Sequence, residues 1–221
     1  MNKLCAVPRC SGEAVGYSTH CDTHKKALRR HGHAQQAGVT VHQLGPYLQR
    51  VQARREKNPA SDLWAILEAR WLALSGNAGA INAKWAGGAS MVGAEVEVAV
   101  QMLKLAVAVP AADVINAVLA MYLLRDAEPR RFQSDRAFMF QMARRVRGLT
   151  SLNAGSYWDN AKKKSRRVYQ DLTPNVAELL ASTLAFTFGA VGLTLAAKER
   201  EDANQAQADT QRLATALEAL T

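Results

Sequence analysis

Four residues near the start of the chain have the types and the spacing of a metal site: Cys5, Cys10, Cys21 and His24. They form the pattern C-x4-C-x10-C-x2-H. Zinc prefers four soft or borderline ligands in a tetrahedron, and two ligand pairs joined by about ten residues let two short loops meet at one ion. A complete set of four protein ligands leaves no coordination position for water. The pattern therefore predicts one structural Zn2+ rather than a catalytic one.

His24 is preferred to His20 as the fourth ligand. Cys21 and His24 are three residues apart on a predicted first helical turn and face the same side, whereas His20 is adjacent to Cys21 and points away from it. The alternative, three reduced cysteines beside a surface histidine, stays open at this point. Metal binding would supply on the order of 10 kcal/mol to fold a segment too short to fold alone.

The cysteines also indicate a compartment. All three lie in the first 21 residues, and no apolar segment that could direct secretion precedes them. An odd number of cysteines fits a disulfide framework poorly, whereas three thiolates and an imidazole fit a metal site in a reducing environment. We therefore expect a cytoplasmic protein.

Residues 5–32 resemble the short treble-clef-like zinc modules of phage and mobile-element DNA-associated proteins. Those modules often have C-x4-C, a glycine-containing hairpin, C-x2-H and a basic helix with an Arg-Arg-His-Gly-like tail, which here is Arg29-Arg30-His31-Gly32. The resemblance implies association with DNA, since the module commonly accompanies a DNA-processing domain, notably an HNH nuclease. The rest of the sequence has no paired-histidine and asparagine core, so nuclease activity is not implied.

From Val41 onward, apolar residues recur at the spacing of three and four that amphipathic helices have. One helix is predicted to end at Asn58-Pro59, and the next to begin after the N-cap Ser61 and to end at Gly76. Residues 77–93, rich in Gly, Ala and Asn, are predicted to form a loop or lid. Further helices are predicted over 94–109, 112–125 and 134–148.

The predicted fold class is all-α, a helical bundle body with a small N-terminal zinc-binding module. The zinc module is assigned to residues 1–34, the helical domain to 41–197 and a C-terminal helix to 198–221. Trp64 and Trp71 are seven residues apart and share a helix face, so we expect them in the core rather than stacked on nucleobases.

The positive charge is concentrated in two blocks. The formal net charge is +9, and residues 1–57 contribute +7, residues 130–167 contribute +9 and the remainder is negative. A surface evolved only for solubility would mix the signs. In the second block, aromatic residues alternate with Arg and Lys, which suits a phosphate backbone with stacked bases. A solvated charged face beside ordinary core aromatics is the alternative.

We therefore predict nucleic-acid binding, with DNA favoured over RNA. Tyr157 and Trp158 are the predicted stacking groups. The predicted phosphate contacts are Lys25, Lys26, Arg29, Arg30, Arg144, Arg145, Lys162, Lys163, Lys164, Arg166 and Arg167. No recognised base-reading helix is evident, so sequence specificity is not predicted.

The last part of the chain holds its most apolar segment. Residues 179–197 contain no charged side chain and reach the length of a membrane span, but serines, threonines and glycines reduce their hydrophobicity, so a buried helix is preferred. After Lys198, a heptad seam consists of Ala203, Ala206, Thr210, Leu213, Leu217 and Leu220. This terminal helix either docks on its own domain or mediates homo-oligomerisation.

No catalytic motif with a required spacing is present: there is no G-x-S-x-G, H-E-x-x-H, Walker or G-x-G-x-x-G sequence. We expect a non-catalytic nucleic-acid-binding protein of phage or mobile-element type. The alternative is an adaptor or inhibitor that docks on a host protein through its basic surface. A membrane-associated protein that uses residues 179–197 is the third hypothesis.

Overall fold

The computed structural model describes residues 3–219, and Arg167 by its backbone alone. Seven α-helices and one β-hairpin form the described part of the chain, which confirms the all-α fold class with its N-terminal Cys/His cluster. The elements are α1 (Asp22–His31), α2 (Val41–Lys57), α3 (Asp62–Ala86), α4 (Gly93–Ala108), α5 (Ala111–Ala127), α6 (Asp135–Arg147), β1 (Ala154–Asp159), β2 (Lys164–Tyr169) and α7 (Pro174–Glu218).

Helix α5 is the centre of the body. Every residue from 117 to 124 is buried, as its near-continuous apolar sequence predicts, and α2, α6 and α7 pack around it. Trp64 and Trp71 of α3 are both buried in the same core, which confirms that they are core residues. Complete burial of one large apolar side chain contributes about 1.5–3 kcal/mol, so this core is the main source of stability in the body.

Two glycines allow α7 to cross α5 closely. A Cβ on Gly192 would lie 2.5 Å from the Tyr122 ring, and one on Gly189 would lie 2.6 Å from the Tyr122 hydroxyl. The Tyr122 ring meets Phe138 of α6 edge to face, with 5.2 Å between the ring centroids. Tyr122 thus joins three helices, and its burial raises the pKa of its hydroxyl.

The prediction that α3 ends at Gly76 and that 77–93 form a loop or lid is wrong. The helix continues to Ala86, and only residues 87–92 connect it to α4. Alanine is the best helix former, so the Ala-rich sequence favours continuation despite its two glycines. Ala78 is buried, and Ile81 packs against the core beside it.

No helix or strand is predicted for residues 154–169, where the structure has a β-hairpin. The strands pair antiparallel from Ala154–Tyr169 at the base to Asp159–Lys164 at the tip. At the turn, the Asp159 carboxylate accepts the N–H groups of Ala161 and Lys162, and Lys163 has a φ of 49°. Aspartate favours turns through such bonds.

The segments on either side of Lys198 form one continuous helix of 45 residues, about 67 Å long at 1.5 Å per residue. By length and composition alone, α7 is long and apolar enough to cross a membrane. In this fold, one face of residues 179–197 supplies Leu180, Leu184 and Phe188 to the core, whereas Phe186 and Leu193 on another face are exposed. Beyond Asp202, the described side chains of α7 are exposed except that of Ala208, which is half-buried.

Candidate metal centre and basic surface

The four predicted ligands converge at one point. The ligand atoms of Cys5, Cys10, Cys21 and His24 all lie within 4.8 Å of one another. The Sγ atoms of Cys10 and Cys21 are 3.9 Å apart, and His24 Nδ1 lies 3.4 Å from Cys5 Sγ and 3.3 Å from Cys21 Sγ. A tetrahedral zinc ion requires edges of about 3.8 Å between sulfurs and about 3.6 Å between sulfur and nitrogen. The cluster therefore has the size of a tetrahedral metal site.

Local backbone structure explains this convergence. Cys5 N–H donates to Gly12 O at 2.9 Å, so the first ligand pair lies in a tight loop. A Cβ on Gly12 would be 3.1 Å from Cys21 Cβ, which shows how closely this loop approaches the second pair. Cys21 is the N-cap of α1, so Cys21 and His24 lie on its first turn, as predicted. His20 instead bonds its neighbour Thr19 and is not in the cluster.

The environment favours a thiolate at Cys5. Burial alone would raise its pKa, but backbone hydrogen bonds at Cys21 and Val7 and the side chains of His24 and Cys21 lower the pKa to about 6. For Cys10, the Gly12 N–H group lowers the pKa, but burial and the other two cysteines outweigh it, and the pKa is raised. The cluster thus holds one thiol that ionises readily, Cys5, beside a second, Cys10, whose pKa is raised, a situation that a divalent cation would relieve.

His31 and Gly32 hold the end of α1 against the body. His31 Nδ1 lies 3.0 Å from the amide nitrogen of Gln141 on α6, and the oxygen of that amide accepts Val39 N–H at 2.9 Å. Gly32 ends α1 with a φ of 77°, and a Cβ there would lie 2.9 Å from Arg136 O. The burial of His31, with the charges of Arg144 and Arg30 beside it, lowers the pKa of its imidazole. The Cys/His cluster therefore lies at the start of a helix whose end contacts α6.

The two basic blocks meet at one carboxylate. Arg30 of α1 donates to Asp171 at 2.6 Å, and Arg144 of α6 donates to the other oxygen of Asp171 at 2.7 Å. Burial alone would raise the pKa of Asp171, but the two arginines outweigh it and lower the pKa. Arg29 and Arg147 line the small cavity beside this cluster. Arginines more than one hundred residues apart in sequence thus form one positively charged site.

Some of the predicted phosphate-contacting residues form ion pairs within the chain, and others do not. Ion pairs engage four of them within the chain: Lys26 with Asp22, Arg30 and Arg144 with Asp171, and Arg166 with Asp159. Six others have no carboxylate within ion-pair distance among residues 3–219: Lys25, Arg29, Arg145, Lys162, Lys163 and Lys164. Arg145 is half-buried, and its burial lowers the pKa of its guanidinium. The side chain of Arg167 lies outside the described part.

Several charges in the basic blocks have a structural role. Arg54 pairs with Glu199 and Asp202 of α7, and Arg55 pairs with Glu68. Arg147 is buried and donates to Gln101 at 2.8 Å and to the Tyr169 hydroxyl at 3.1 Å. The free positive surface is therefore smaller than the residue count along the sequence indicates.

The hairpin separates the two predicted stacking groups. Tyr157 lies opposite Arg166, and Trp158 lies opposite Ser165. Both aromatic residues are exposed, Tyr157 to 50% and Trp158 to 58%. Neighbouring residues in a strand point to opposite faces. Trp158 shares its face with Tyr169, whose ring lies under Arg144 and Arg147. Trp158 is therefore the aromatic residue on the side of the arginine cluster.

Asp171 and Gln141 are the residues of this region that the sequence did not single out. Asp171 follows the hairpin and Gln141 lies among apolar residues of α6, so no local motif marks either residue.

Comparison of the chain with protein-family models, with curated proteins and with solved structures gives no match.

Proposed function

We propose that the protein binds nucleic acid without catalysing a reaction on it, and that the Cys/His cluster holds a structural Zn2+. The observation that carries the proposal is the meeting of α1, α6 and the residues after the hairpin at Asp171. Charges from both basic blocks thereby lie within reach of one phosphate backbone. Because phosphate contacts provide most of the affinity for nucleic acids, this arrangement suits a general nucleic-acid surface.

Zinc is the favoured ion because of its ligands. Three thiolates and one imidazole are soft or borderline donors, which select zinc over magnesium or calcium, and four ligands complete a tetrahedron. The function of the ion would be to fix α1, which carries Lys25 and Arg29 on its exposed side. A DNA ligand is favoured because these residues resemble the zinc modules of DNA-associated phage and mobile-element proteins.

The hairpin would extend this surface. Its strands have six residues each, so the tip lies about 20 Å from the base at 3.3 Å per residue. Lys162, Lys163 and Lys164 at the tip are exposed. They would contact phosphates beyond those at the arginine cluster, and Trp158 would stack on a base of a single strand.

Salt dependence tests the proposal. Labelled duplex and single-stranded DNA are titrated by fluorescence anisotropy at several salt concentrations. If the six unpaired cations each contact one phosphate, log affinity falls with log salt with a slope of about −5. The triple variant K162A/K163A/K164A should lower the magnitude of that slope by about 3. The charge-matched control K57A/K84A/K198A removes exposed lysines elsewhere and should leave it unchanged.

The outcomes are distinct. A slope near zero, or equal effects of the two triple variants, would reject the proposed surface. Trp158→Ala should weaken single-strand binding by about 1–3 kcal/mol, whereas Tyr157→Ala on the other hairpin face should have a smaller effect.

A protein-binding adaptor is the second candidate, and the exposed face of α7 favours it. Phe186 is 94% exposed and Leu193 is 59% exposed. The same helix also borders a cavity of about 420 Å³ that is lined by Leu63, Trp64 and Val191 among others. Exposed apolar surface of this kind is typical of protein or membrane contacts. The adaptor would be favoured if the protein bound neither duplex nor single-stranded DNA but formed a stable complex with a host protein, and if Phe186→Asp abolished that complex. Sedimentation with lipid vesicles after a salt wash would instead favour membrane association.

A further inference from the structure

The last third of α7 is a helix segment with exposed side chains. The last ion pairs between α7 and the body involve Glu199, Arg200 and Asp202. From residue 203 to 219 every side chain is exposed except that of Ala208, which is half-buried. A single helix of this length is marginal in water, because most helix stability in proteins comes from packing. We define residues 203–218 as the arm.

The arm carries one apolar seam. The spacing between successive residues of the seam alternates between three and four, which places these residues on one side of the helix. The seam consists of Ala203, Ala206, Thr210, Leu213 and Leu217, and its last sequence position, Leu220, lies outside the described residues. The arm contains no Gly or Pro and is continuous with the rest of α7, so it does not bend back onto its own body.

The order of residue sizes within the seam indicates its partner. Small residues, Ala203 and Ala206, come first, and large ones, Leu213 and Leu217, come last. We propose that two copies of the chain pair through their arms in an antiparallel arrangement, with Ala206 opposite Leu217 of the second copy and Thr210 opposite Leu213. Each layer then holds one small and one large side chain, so the helices keep a constant separation. A parallel pair would place alanine on alanine at one end and leucine on leucine at the other.

This pairing is compatible with the charges and the geometry of the arm. Asp209 and Arg212 pair within their own helix at 3.4 Å, so neither brings an unpaired charge to the seam. The centre of the pair lies between residues 211 and 212, which separates the two copies of Asp202 by about 28 Å along the axis. The two bodies would therefore lie at opposite ends of the paired arms, each with its basic surface.

The first experiment measures mass in solution. Sedimentation equilibrium of the full chain should show a dimer, and the seam variant Leu213→Asp/Leu217→Asp should be monomeric. The matched control is Gln211→Asp/Thr215→Asp, which adds two charges to the opposite side of the same helix segment and should stay dimeric. Circular dichroism should show that the seam variant keeps the helix content of the body. A monomeric wild-type chain, or a seam variant that remains dimeric, would overturn the proposal.

The second experiment determines the orientation. Ala206→Cys protein and Leu217→Cys protein, carrying tags of different mass and loaded with zinc, are mixed under mild oxidation. The antiparallel pair should give the mixed disulfide dimer, because the two positions face each other across the seam. Each variant alone should give none, since the two copies of residue 206 would be about 16 Å apart along the axis. Self-crosslinking of either variant beyond that of the wild-type control would establish a parallel pair and overturn the proposal.

Discussion

The N-terminal segment and the helical body are stabilised in different ways. Among the described residues of the segment, from 3 onward, the buried apolar cluster consists of Cys5, Val7 and Ala34, with Cys10, Cys21 and Leu28 packed beside it. The body instead has a core in which α5 is surrounded by other helices. A cluster that small does not offset the conformational entropy of ordering its chain. The comparison teaches that an ion held by the Cys/His cluster would do for the segment what hydrophobic burial does for the body.

The largest expected effect is on the segment alone. Cys21→Ser should abolish zinc binding and, since structural zinc contributes on the order of 10 kcal/mol, should remove amide exchange protection from residues 3–30. The body should keep its protection. Native mass spectrometry measures the metal and hydrogen exchange measures the order. His20→Ala is the matched control, because His20 lies outside the cluster and should be dispensable. Retained zinc in Cys21→Ser, or zinc loss in His20→Ala, would contradict this ligand set.

A substitution in the core of the helical body should lower the stability of the body without affecting the metal site. Phe138 is 1% exposed and contacts the rings of Tyr122 and Phe132. Phe138→Ala should lower the free energy of unfolding by about 3–5 kcal/mol, while zinc stays bound. Chemical denaturation measures the stability. Phe186→Ala is the control, since its exposed ring should contribute within about 0.5 kcal/mol. Simultaneous zinc loss in Phe138→Ala would mean that the two regions fold as one unit.

A third change tests the junction between the two regions. Gly32 and Gly16 both have positive φ, of 77° and 60°, but only Gly32 is crowded. Gly16→Ala should lower the free energy of unfolding by about 1–2 kcal/mol, because alanine is strained in the left-handed conformation. Gly32→Ala should cost about 1–3 kcal/mol more, because its Cβ would collide with Arg136 O and the Phe140 ring. Thermal unfolding compares the two variants. Equal effects would show that α1 is not held tightly against α6.

The sequence predicts the features that local patterns determine. The candidate metal ligands, the position of Cys21 and His24 at the first turn of α1 and the burial of α5 all follow from spacing or composition within one segment. The pairing of Arg54 with Glu199 does not follow, because the two residues are 145 positions apart. Counting charges along the chain therefore overestimates the free positive surface.

The hairpin and α3 illustrate a second reason for error. Tyr157 and Trp158 are predicted as stacking residues because aromatic residues alternate with Arg and Lys in this block, yet strand geometry places the two on opposite faces. Ala78 belongs to an Ala- and Gly-rich stretch whose low hydrophobicity indicates a loop, but its small side chain fits where α3 meets the core. In both places, the structure depends on which residues of other elements the side chain contacts, and the residues next to it in the sequence do not reveal those contacts.

The smallest expected effect on stability concerns Asp171, where the two regions meet. Its side chain is 24% exposed, so loss of both ion pairs in Asp171→Asn should cost only about 1 kcal/mol. Because the folded state lowers the pKa of this carboxyl, its contribution is complete above the ordinary value of 3.8 and is lost as pH falls below it. The difference in unfolding free energy between wild type and variant should therefore disappear in acid.

The same substitution should affect DNA in the opposite direction. Removal of the carboxylate frees Arg30 and Arg144 for phosphates, so Asp171→Asn should bind DNA more tightly while folding less stably. Asp126→Asn is the control: Asp126 pairs with Arg200 at 2.6 Å and is 28% exposed, but no predicted phosphate contact depends on it. Anisotropy titrations at one salt concentration measure all three proteins. If Asp171→Asn binds DNA more weakly than Asp126→Asn, Asp171 positions the arginines for binding and does not compete with phosphate for them.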